Sequence, residues 1–273
     1  MIPSDDDPNV TEPLPDDDSR PVATVDASVL LSAHGGAAAE LIDILGRDAR
    51  FVGGCVRDMV LGQFGEGDVD IATPLHPRNV TRRLTRANWK AIPVGIEHGT
   101  VLAVAPEGGG TFEVTTLRED VETDGRHATV RFTDSWKEDA ARRDFTYNAI
   151  SVDREGYLYD YFGGLEDLEG GYTRFVGNAS DRIAEDRLRI LRAYRFHARF
   201  GLRAWDGATA GGTCDWEWGG GGRCMVSVTR GAGAGCTVLC YYGDSWEEWQ
   251  GVVNNGREFV VSTINSRYKT DYL

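Results

Sequence analysis

The sequence predicts an α+β head with a mixed sheet and flanking helices, followed by an irregular C-terminal segment. Residues 25–203 alternate short apolar runs with helical periodicity, as an α/β or α+β domain does. Residues 204–273 hold 13 of the 34 glycines, five of the seven tryptophans and four of the five cysteines, and no periodicity persists there. We therefore place the head at 25–150, a connecting part with a basic helix at 151–203, and the atypical segment at 204–273.

Charge is distributed unevenly along the chain. The formal net charge of −14 by itself disfavours a nucleic-acid partner. Residues 1–24, however, hold seven acids and one arginine, and we expect them to form a disordered acidic tail. The middle of the chain is much less acidic, and one basic face is enough to bind RNA. We read no apolar run of about 20 residues and no targeting segment, so we expect a cytoplasmic protein without a membrane span.

The spacing of apolar residues predicts the helices and strands of the head. Apolar side chains repeating every three or four residues predict helices, and alternating ones predict strands. The first helix should be weakened at Gly35 and Gly36. In chain order we expect a helix over 27–46, a strand over 50–53, a helix over 55–61, a strand over 68–73, a helix over 77–87, strands over 101–105 and 111–117, a helix within 138–150 and a longer helix over 184–200.

Two carboxylates make the strand over 68–73 the most informative element. Alternation places Asp68 and Asp70 on one side, about 7 Å apart, while Val69 and Ile71 enter the core. Like charges at that distance repel unless a cation lies between them, and Mg²⁺ prefers a few carboxylates together with substrate phosphates. An isolated Asp-x-Asp is more often an exposed strand edge that uses aspartate for solubility. Glu113 offers a third carboxylate on a later strand.

A glycine pair precedes these carboxylates. Gly53 and Gly54 lie between a strand and a helix, where backbone N–H groups can approach a phosphate. Arg57 on that helix is a candidate to neutralise a phosphate oxygen. A tight turn without ligand is the alternative for the glycines alone.

Together these motifs resemble the DNA polymerase beta nucleotidyltransferase superfamily. The runs 51–58 and 68–73 resemble the class II tRNA nucleotidyltransferases, which are the CCA-adding enzymes, and the related bacterial poly(A) polymerases. The resemblance implies that Asp68 and Asp70 bind metal and are catalytic, with Glu113 assisting.

Arginine-rich segments form the second group of signals. In the run 142–149, Arg143 can reach phosphate, while Asp144 and Asn148 can bind a sugar hydroxyl or orient the arginines. A capped helix start with surface arginines is the alternative. This run resembles the family's ribose-recognising motif, and 160–168 resembles its connecting motif, for which we expect a hinge or turn without catalysis.

The helix over 184–200 carries a face of arginines. Residues 181–203 hold seven arginines and three acids, and Arg189, Arg192 and Arg195 fall on one side. Such a face is usually only solvated, although like charges at these spacings cost helix stability and a polyanion would offset that repulsion. The resemblance implies that Asp186 and Arg189 read the base of CTP or ATP.

Two further runs, 94–100 and 119–128, resemble CCA-adding enzymes and favour CCA or partial CCA addition over polyadenylation. We expect Mg²⁺ as cofactor, the tRNA 3′ end, CTP and ATP as partners, and no protein partner. The resemblance ends after Arg203, and we expect 204–273 to be a frame-disrupted or truncated replacement of the family's C-terminal half. The cysteines there lack the paired spacing of a zinc site. An inactive nucleotide- or RNA-binding remnant is the alternative function.

Overall fold

The computed structural model describes residues 20–200 apart from 66, 96, 97, 124–127 and 187, together with the strands between 217 and 263. The strands of the head are β1 (Ala23–Thr24), β2 (Arg50–Val52), β3 (Asp70–Thr73), β4 (Lys90–Gly95), β5 (Thr100–Val104), β6 (Thr111–Thr116), β7 (Arg118–Thr123), β8 (Ala128–Phe132), β9 (Ser151–Val152) and β10 (Tyr157–Tyr159). Its helices are α1 (Ser28–Leu31), α2 (Ala37–Leu45), α3 (Gly54–Val60), α4 (Pro77–Arg86), α5 (Trp136–Ala141), α6 (Gly164–Gly170), α7 (Ala179–Glu185) and α8 (Leu188–Phe200).

Eight of these strands form a mixed sheet in the order β1-β10-β9-β2-β3-β6-β5-β4. The β3–β6 pair is parallel and the other neighbours in this sheet are antiparallel. Strands β7 and β8 form a separate antiparallel hairpin. The predicted α+β head with a mixed sheet and flanking helices is confirmed.

One face of the sheet is covered and the other carries the polar groups. Phe51, Ile71 and Val114 lie on the covered face with 0% exposure and form the main core with Leu41 of α2 and Leu84 of α4. Because side chains alternate along a strand, the residues between them project to the opposite face. That opposite face carries Val52, Asp70, Ala72 and Glu113, and we call it the catalytic face.

A second core lies between the segment after α5 and the last two helices. Phe145 and Tyr147 are both 0% exposed and pack against Phe196 of α8. Phe175 adds a ring contact, with a centroid 4.9 Å from that of Phe145. Aromatic rings in tilted and edge-to-face contact therefore fix α8 against the head.

Three predicted helices are shorter than the periodicity suggested. The helix over 27–46 is broken by a 3₁₀ turn at Ala33–Gly36, where Gly35 and Gly36 have φ of 68° and 92°. The helix within 138–150 ends at Ala141, and Thr146–Asn148 forms a single 3₁₀ turn. The helix over 184–200 is two helices, α7 and α8, and the Asp186 side chain accepts a bond from Leu188 N at the start of α8 (2.9 Å).

The two ends of the chain add strands that periodicity did not reveal. Residues 1–19 of the predicted acidic tail lie outside the described residues. Ala23–Thr24 pair with β10, so the sheet begins before residue 25, where we placed the start of the head. In the segment that we expected to be irregular, four strands form an antiparallel sheet: β13 (Thr229–Arg230), β14 (Gly235–Tyr242), β15 (Ser245–Asn254) and β16 (Glu258–Thr263). A short pair, β11 (Glu217–Trp218) and β12 (Gly222–Arg223), precedes it. None of the described helices is long and apolar enough to cross a membrane.

Candidate active site

The carboxylates meet where β3 runs beside β6. Asp70 is the first residue of β3, and Glu113 is its direct partner across the parallel pair. Val69 is 1% exposed, and its burial fixes the strand so that Asp68, which precedes β3, lies exposed at the same edge of the catalytic face. The predicted strand starts two residues too early, but the alternation that we expected holds.

Negative charge at this point is not balanced by the protein. Burial is the main cause that raises the pKa of Asp70 to about 6, and the charges of Glu113 and Asp68 act in the same direction. The positive charge of Arg143 opposes them without cancelling them. A carboxyl group held in this way gains from a nearby cation.

Gly53 provides the space between Asp70 and Arg143. Its φ of 72° and ψ of −132° belong to a region that side chains rarely adopt. A Cβ atom there would lie 3.3 Å from Nη1 of Arg143 and 4.0 Å from Oδ2 of Asp70. Gly54 begins α3 directly behind it. The predicted glycine turn therefore faces the carboxylate, as the proposed phosphate-transfer chemistry requires.

The donor set suits a hard divalent ion. Asp68 and Asp70 offer carboxylate oxygens, and their mutual repulsion is the condition that Mg²⁺ relieves. In the part of the chain that the structure describes, no group of three or more histidine, cysteine, aspartate or glutamate residues is arranged to hold a metal. A two-carboxylate site completed by substrate phosphates is in keeping with Mg²⁺, which keeps water and phosphate ligands.

Asp139 holds Arg143 in place, and the sequence reasoning missed it. This carboxylate is 2% exposed and pairs with Nη2 of Arg142 at 2.8 Å and Nη2 of Arg143 at 3.1 Å. Burial alone would raise the pKa of Asp139, but the two guanidinium groups outweigh it and keep the pKa below its ordinary value. The sequence did contain a signal for these pairs, because Asp139 precedes Arg142 by three residues and Arg143 by four.

Arg50 secures the other side of α5 and was also missed. Its guanidinium carbon lies 4.1 Å from the ring centroid of Trp136 on α5 and 3.5 Å from that of Tyr159 on β10. The residue is 8% exposed, and Nη1 donates to the Tyr161 hydroxyl at 3.2 Å. This cation–π sandwich ties the helix that carries Asp139 to the sheet.

Arg57 points into the protein rather than toward the carboxylates. Its side chain is 6% exposed, donates to Asp58, and donates through Nη1 to Oδ1 of Asn148 at 2.7 Å. Asn148 in turn donates to Oδ1 of Asp144 at 3.0 Å, and Asp144 pairs with Arg192 at 2.6 Å. Four predicted nucleotide-binding residues thus form one network that joins α3 to α8, and their contacts with the nucleotide stay predictions.

The predicted base-reading residues also have protein partners. Nη1 of Arg189 lies 2.7 Å from Oε2 of Glu185, and its Nη2 donates to the Arg142 carbonyl at 3.0 Å. Asp186 caps the start of α8, as described above. Arg195 differs because it has no ion pair with a described residue, and it lies over the Phe196 ring at 4.9 Å.

A family model and several known proteins match this part of the chain. Residues 49–174 match the poly A polymerase head domain. The chain is 50% identical over 153 residues to "CCA tRNA nucleotidyltransferase 1, mitochondrial" from Danio rerio and 49% identical over 158 residues to the CCA-adding enzyme of Oceanobacillus iheyensis. These matches cover 56% and 57% of this chain but 35% and 38% of the relatives.

Solved structures agree with the sequence matches. The Bacillus stearothermophilus CCA-adding enzyme in complex with CTP aligns with a TM-score of 0.57 at 41% identity, covering 65% of this chain and 42% of that one. The Thermotoga maritima enzyme complexed with tRNA_CCA aligns with a TM-score of 0.55 at 26% identity, covering 71% and 45%. The head is therefore similar in sequence and fold to the heads of CCA-adding enzymes. The part that aligns is 35–38% of the curated relatives and 42–45% of the solved structures, so the chain spans less than half of their length.

The connecting motif forms a turn that caps the start of α6, which is one of the two forms that we expected for it. Both carboxylate oxygens of Asp160 accept backbone bonds at the start of α6, from Phe162, Gly164 and Leu165, at 2.8 to 3.1 Å. A Cβ atom on Gly164 would lie 2.1 Å from the Thr146 carbonyl oxygen. The glycine therefore allows α6 to pack directly on the segment that carries Asn148.

Proposed function

We propose that the chain adds C, A or both to the 3′ end of tRNA. In this reaction the 3′-hydroxyl of the RNA attacks the α-phosphate of CTP or ATP, and the bond to the β-phosphate breaks to release pyrophosphate. The observation that carries the proposal is the Asp70–Glu113 pair, with Asp68 beside it and Arg143 across Gly53. Uncompensated negative charge next to a glycine turn and an arginine is what binding a metal-bound triphosphate needs.

Mg²⁺ is the cofactor in this proposal, with Asp68 and Asp70 as its protein ligands. When bound, the ion supplies positive charge that stabilises the attacking and leaving oxygens. Glu113 supports the site from β6, and Arg143 binds a phosphate or ribose oxygen from the other side of Gly53. Asp139 and Arg50 keep Arg143 positioned through α5.

Base selection is assigned to the start of α8. Asp186 accepts from the exocyclic amino group that C and A both carry, and Arg189 donates to ring acceptors. Both side chains have protein partners, so they must exchange those bonds for bonds to the base. Arg192 and Arg195 are the further nucleotide-binding residues of this helix, and Arg195 is the one whose charge is open to the nucleotide.

The relatives support both substrates. One matched structure contains CTP and another contains tRNA_CCA. The alignment with the first covers 65% of this chain at 41% identity. We assign the protein to the cytoplasm, where tRNA and these nucleotides occur together.

A nucleotide-incorporation assay tests the proposal. A tRNA lacking its terminal CCA is incubated with the protein, Mg²⁺ and one labelled nucleotide at a time. Incorporation of CTP and then ATP, with no UTP or GTP, is expected. Long extension with ATP alone would instead support polyadenylation, the alternative that the name of the matching family model favours.

An inactive nucleotide- or RNA-binding remnant is the second alternative, because Arg189 and Arg192 already have acidic partners inside the protein. It predicts nucleotide binding without turnover. In that case the Asp68→Ala/Asp70→Ala variant behaves like the wild type in every incorporation assay. Incorporation by the wild type that the variant lacks would exclude the remnant.

A further inference from the structure

We propose that a basic surface at the β4 edge of the sheet binds the phosphate backbone of the RNA substrate. This inference rests on the proposed function and gives the RNA a second contact on the head. The surface consists of Arg78, Arg82 and Arg86 on α4 and Lys90 at the start of β4, and we call it the edge track.

The edge track is an uncompensated concentration of positive charge. Residues 71–96 contain five basic residues and no acid, in a chain whose net charge is −14. All four side chains of the track are exposed, and none has an ion pair with a residue that the structure describes. Two other exposed arginines of the head do have such partners, since Arg131 pairs with Glu119 and Arg154 with Asp43.

Spacing on α4 favours an extended anion over a single small one. Arg78, Arg82 and Arg86 follow one another at four-residue intervals, which puts them about 6 Å apart along the helix axis. Like charges at this spacing disfavour the helix, and neighbouring phosphates of a nucleic acid would remove that repulsion. The fifth basic residue, Arg83, already has another task, because its Nη1 donates to the Leu45 carbonyl at the end of α2.

Sheet register connects the edge track to the catalytic face. A row of direct partners runs from Asp70 through Glu113 and Leu102 to Ile92 on the edge strand β4. Lys90 lies two residues from Ile92, so alternation places it on the same face as Asp70. Three strand spacings separate β3 from β4, which makes the edge about 14 Å from Asp70.

From Lys90 the track continues behind the sheet. Val80 and Leu84 of α4 are buried on the covered face, and the arginines project away from that contact. An RNA whose 3′ end lies at Asp70 therefore meets Lys90 first and then the α4 arginines as it passes round the edge. Contacts of this kind hold the phosphate backbone without reading the bases.

Two charge-matched double variants of the full chain test the inference. Arg82→Gln/Arg86→Gln removes two charges from the edge track, and Arg47→Gln/Arg154→Gln removes two exposed charges outside it. Binding of fluorescein-labelled tRNA lacking its CCA end is measured at several salt concentrations without Mg²⁺ or nucleotide. For the track variant we expect the slope of log Kd against log salt to fall by about 2 and Kd at low salt to rise about 10-fold.

The control variant should change neither quantity. Equal changes in the two variants, or none in the track variant, would overturn the inference and leave α4 as a solvated helix face. Thermal melting checks that the track variant folds, and Arg78→Gln/Lys90→Gln is a second pair that should reproduce its effect. The proposed function can fail separately. If the wild type binds RNA with the expected salt dependence of Kd but incorporates no nucleotide, the proposed function is wrong and the edge track is still supported.

Discussion

The catalytic face and the arginine helix α8 differ in how their charges are balanced. On the sheet, Asp70 lies among like charges, and Arg143 opposes them without cancelling them. On α8, Arg189 and Arg192 are paired with Glu185 and Asp144. The carboxylates keep negative charge that the protein does not neutralise, whereas these two arginines are paired with acids inside the head.

This difference teaches that counting charges does not locate a binding site. Residues 181–203 hold seven arginines and were the strongest basic signal in the sequence. Two of these arginines, Arg189 and Arg192, form ion pairs inside the protein. A site is better recognised by charge that the protein leaves uncompensated, as at Asp70, at Arg195 and along the edge track.

The largest effect is expected when the carboxylates are removed. Asp68→Ala/Asp70→Ala deletes both proposed metal ligands, so incorporation of CTP into tRNA should fall about 10³-fold or more. The measurement is single-nucleotide incorporation at saturating Mg²⁺. Thermal melting should show a folded variant, because neither side chain has a hydrogen-bonded partner among the residues that the structure describes. Near-normal incorporation would remove the carboxylates from the mechanism.

Removing the acid that pairs with Arg192 of α8 should instead cost stability. Asp144→Ala leaves Arg192 and the buried Arg57–Asn148 network without their common acceptor, and we expect the free energy of unfolding to fall by about 2 kcal/mol. Asp43→Ala, which breaks the exposed pair with Arg154, is the matched control and should cost less than about 1 kcal/mol. Urea denaturation measures both. Equal losses would mean that the Asp144 network is no tighter than a surface pair.

Sequence reasoning succeeded where a motif coincides with a regular element. Alternation located Asp70 on a strand and Glu113 on its neighbour, because burial of Val69 and Ile71 leaves one orientation. It failed where long-range packing decides. Arg50 and Asp139 are ordinary charged residues in the sequence, and the sheet order that brings Tyr159 to Arg50 is needed before either acquires a role. The break at residue 186 was also invisible, since the arginine period continues across it.

A smaller effect should appear in the pH dependence of stability. Because the pKa of Asp70 is raised to about 6 in the fold, its contribution to stability is full below pH 4 and is lost as pH rises through 6. Asp70→Asn removes this loss, so without metal the variant should gain stability relative to the wild type as pH rises from 4 to 7. Excess Mg²⁺ at pH 7 should restore the wild type and leave the variant unchanged. A stability difference independent of pH would contradict the charge imbalance.

The smallest effect separates the two kinds of arginine on α8 itself. Arg195 has no described ion pair, so Arg195→Gln should leave the melting temperature unchanged and raise KM for CTP about 5-fold, as the loss of one exposed charged contact does. Arg192→Gln should lower the melting temperature because Asp144 loses its partner. Steady-state kinetics and thermal melting of the two variants decide the matter together. If Arg195→Gln lowers the melting temperature as much as Arg192→Gln does, Arg195 belongs to the internal network and α8 presents no open charge to the nucleotide.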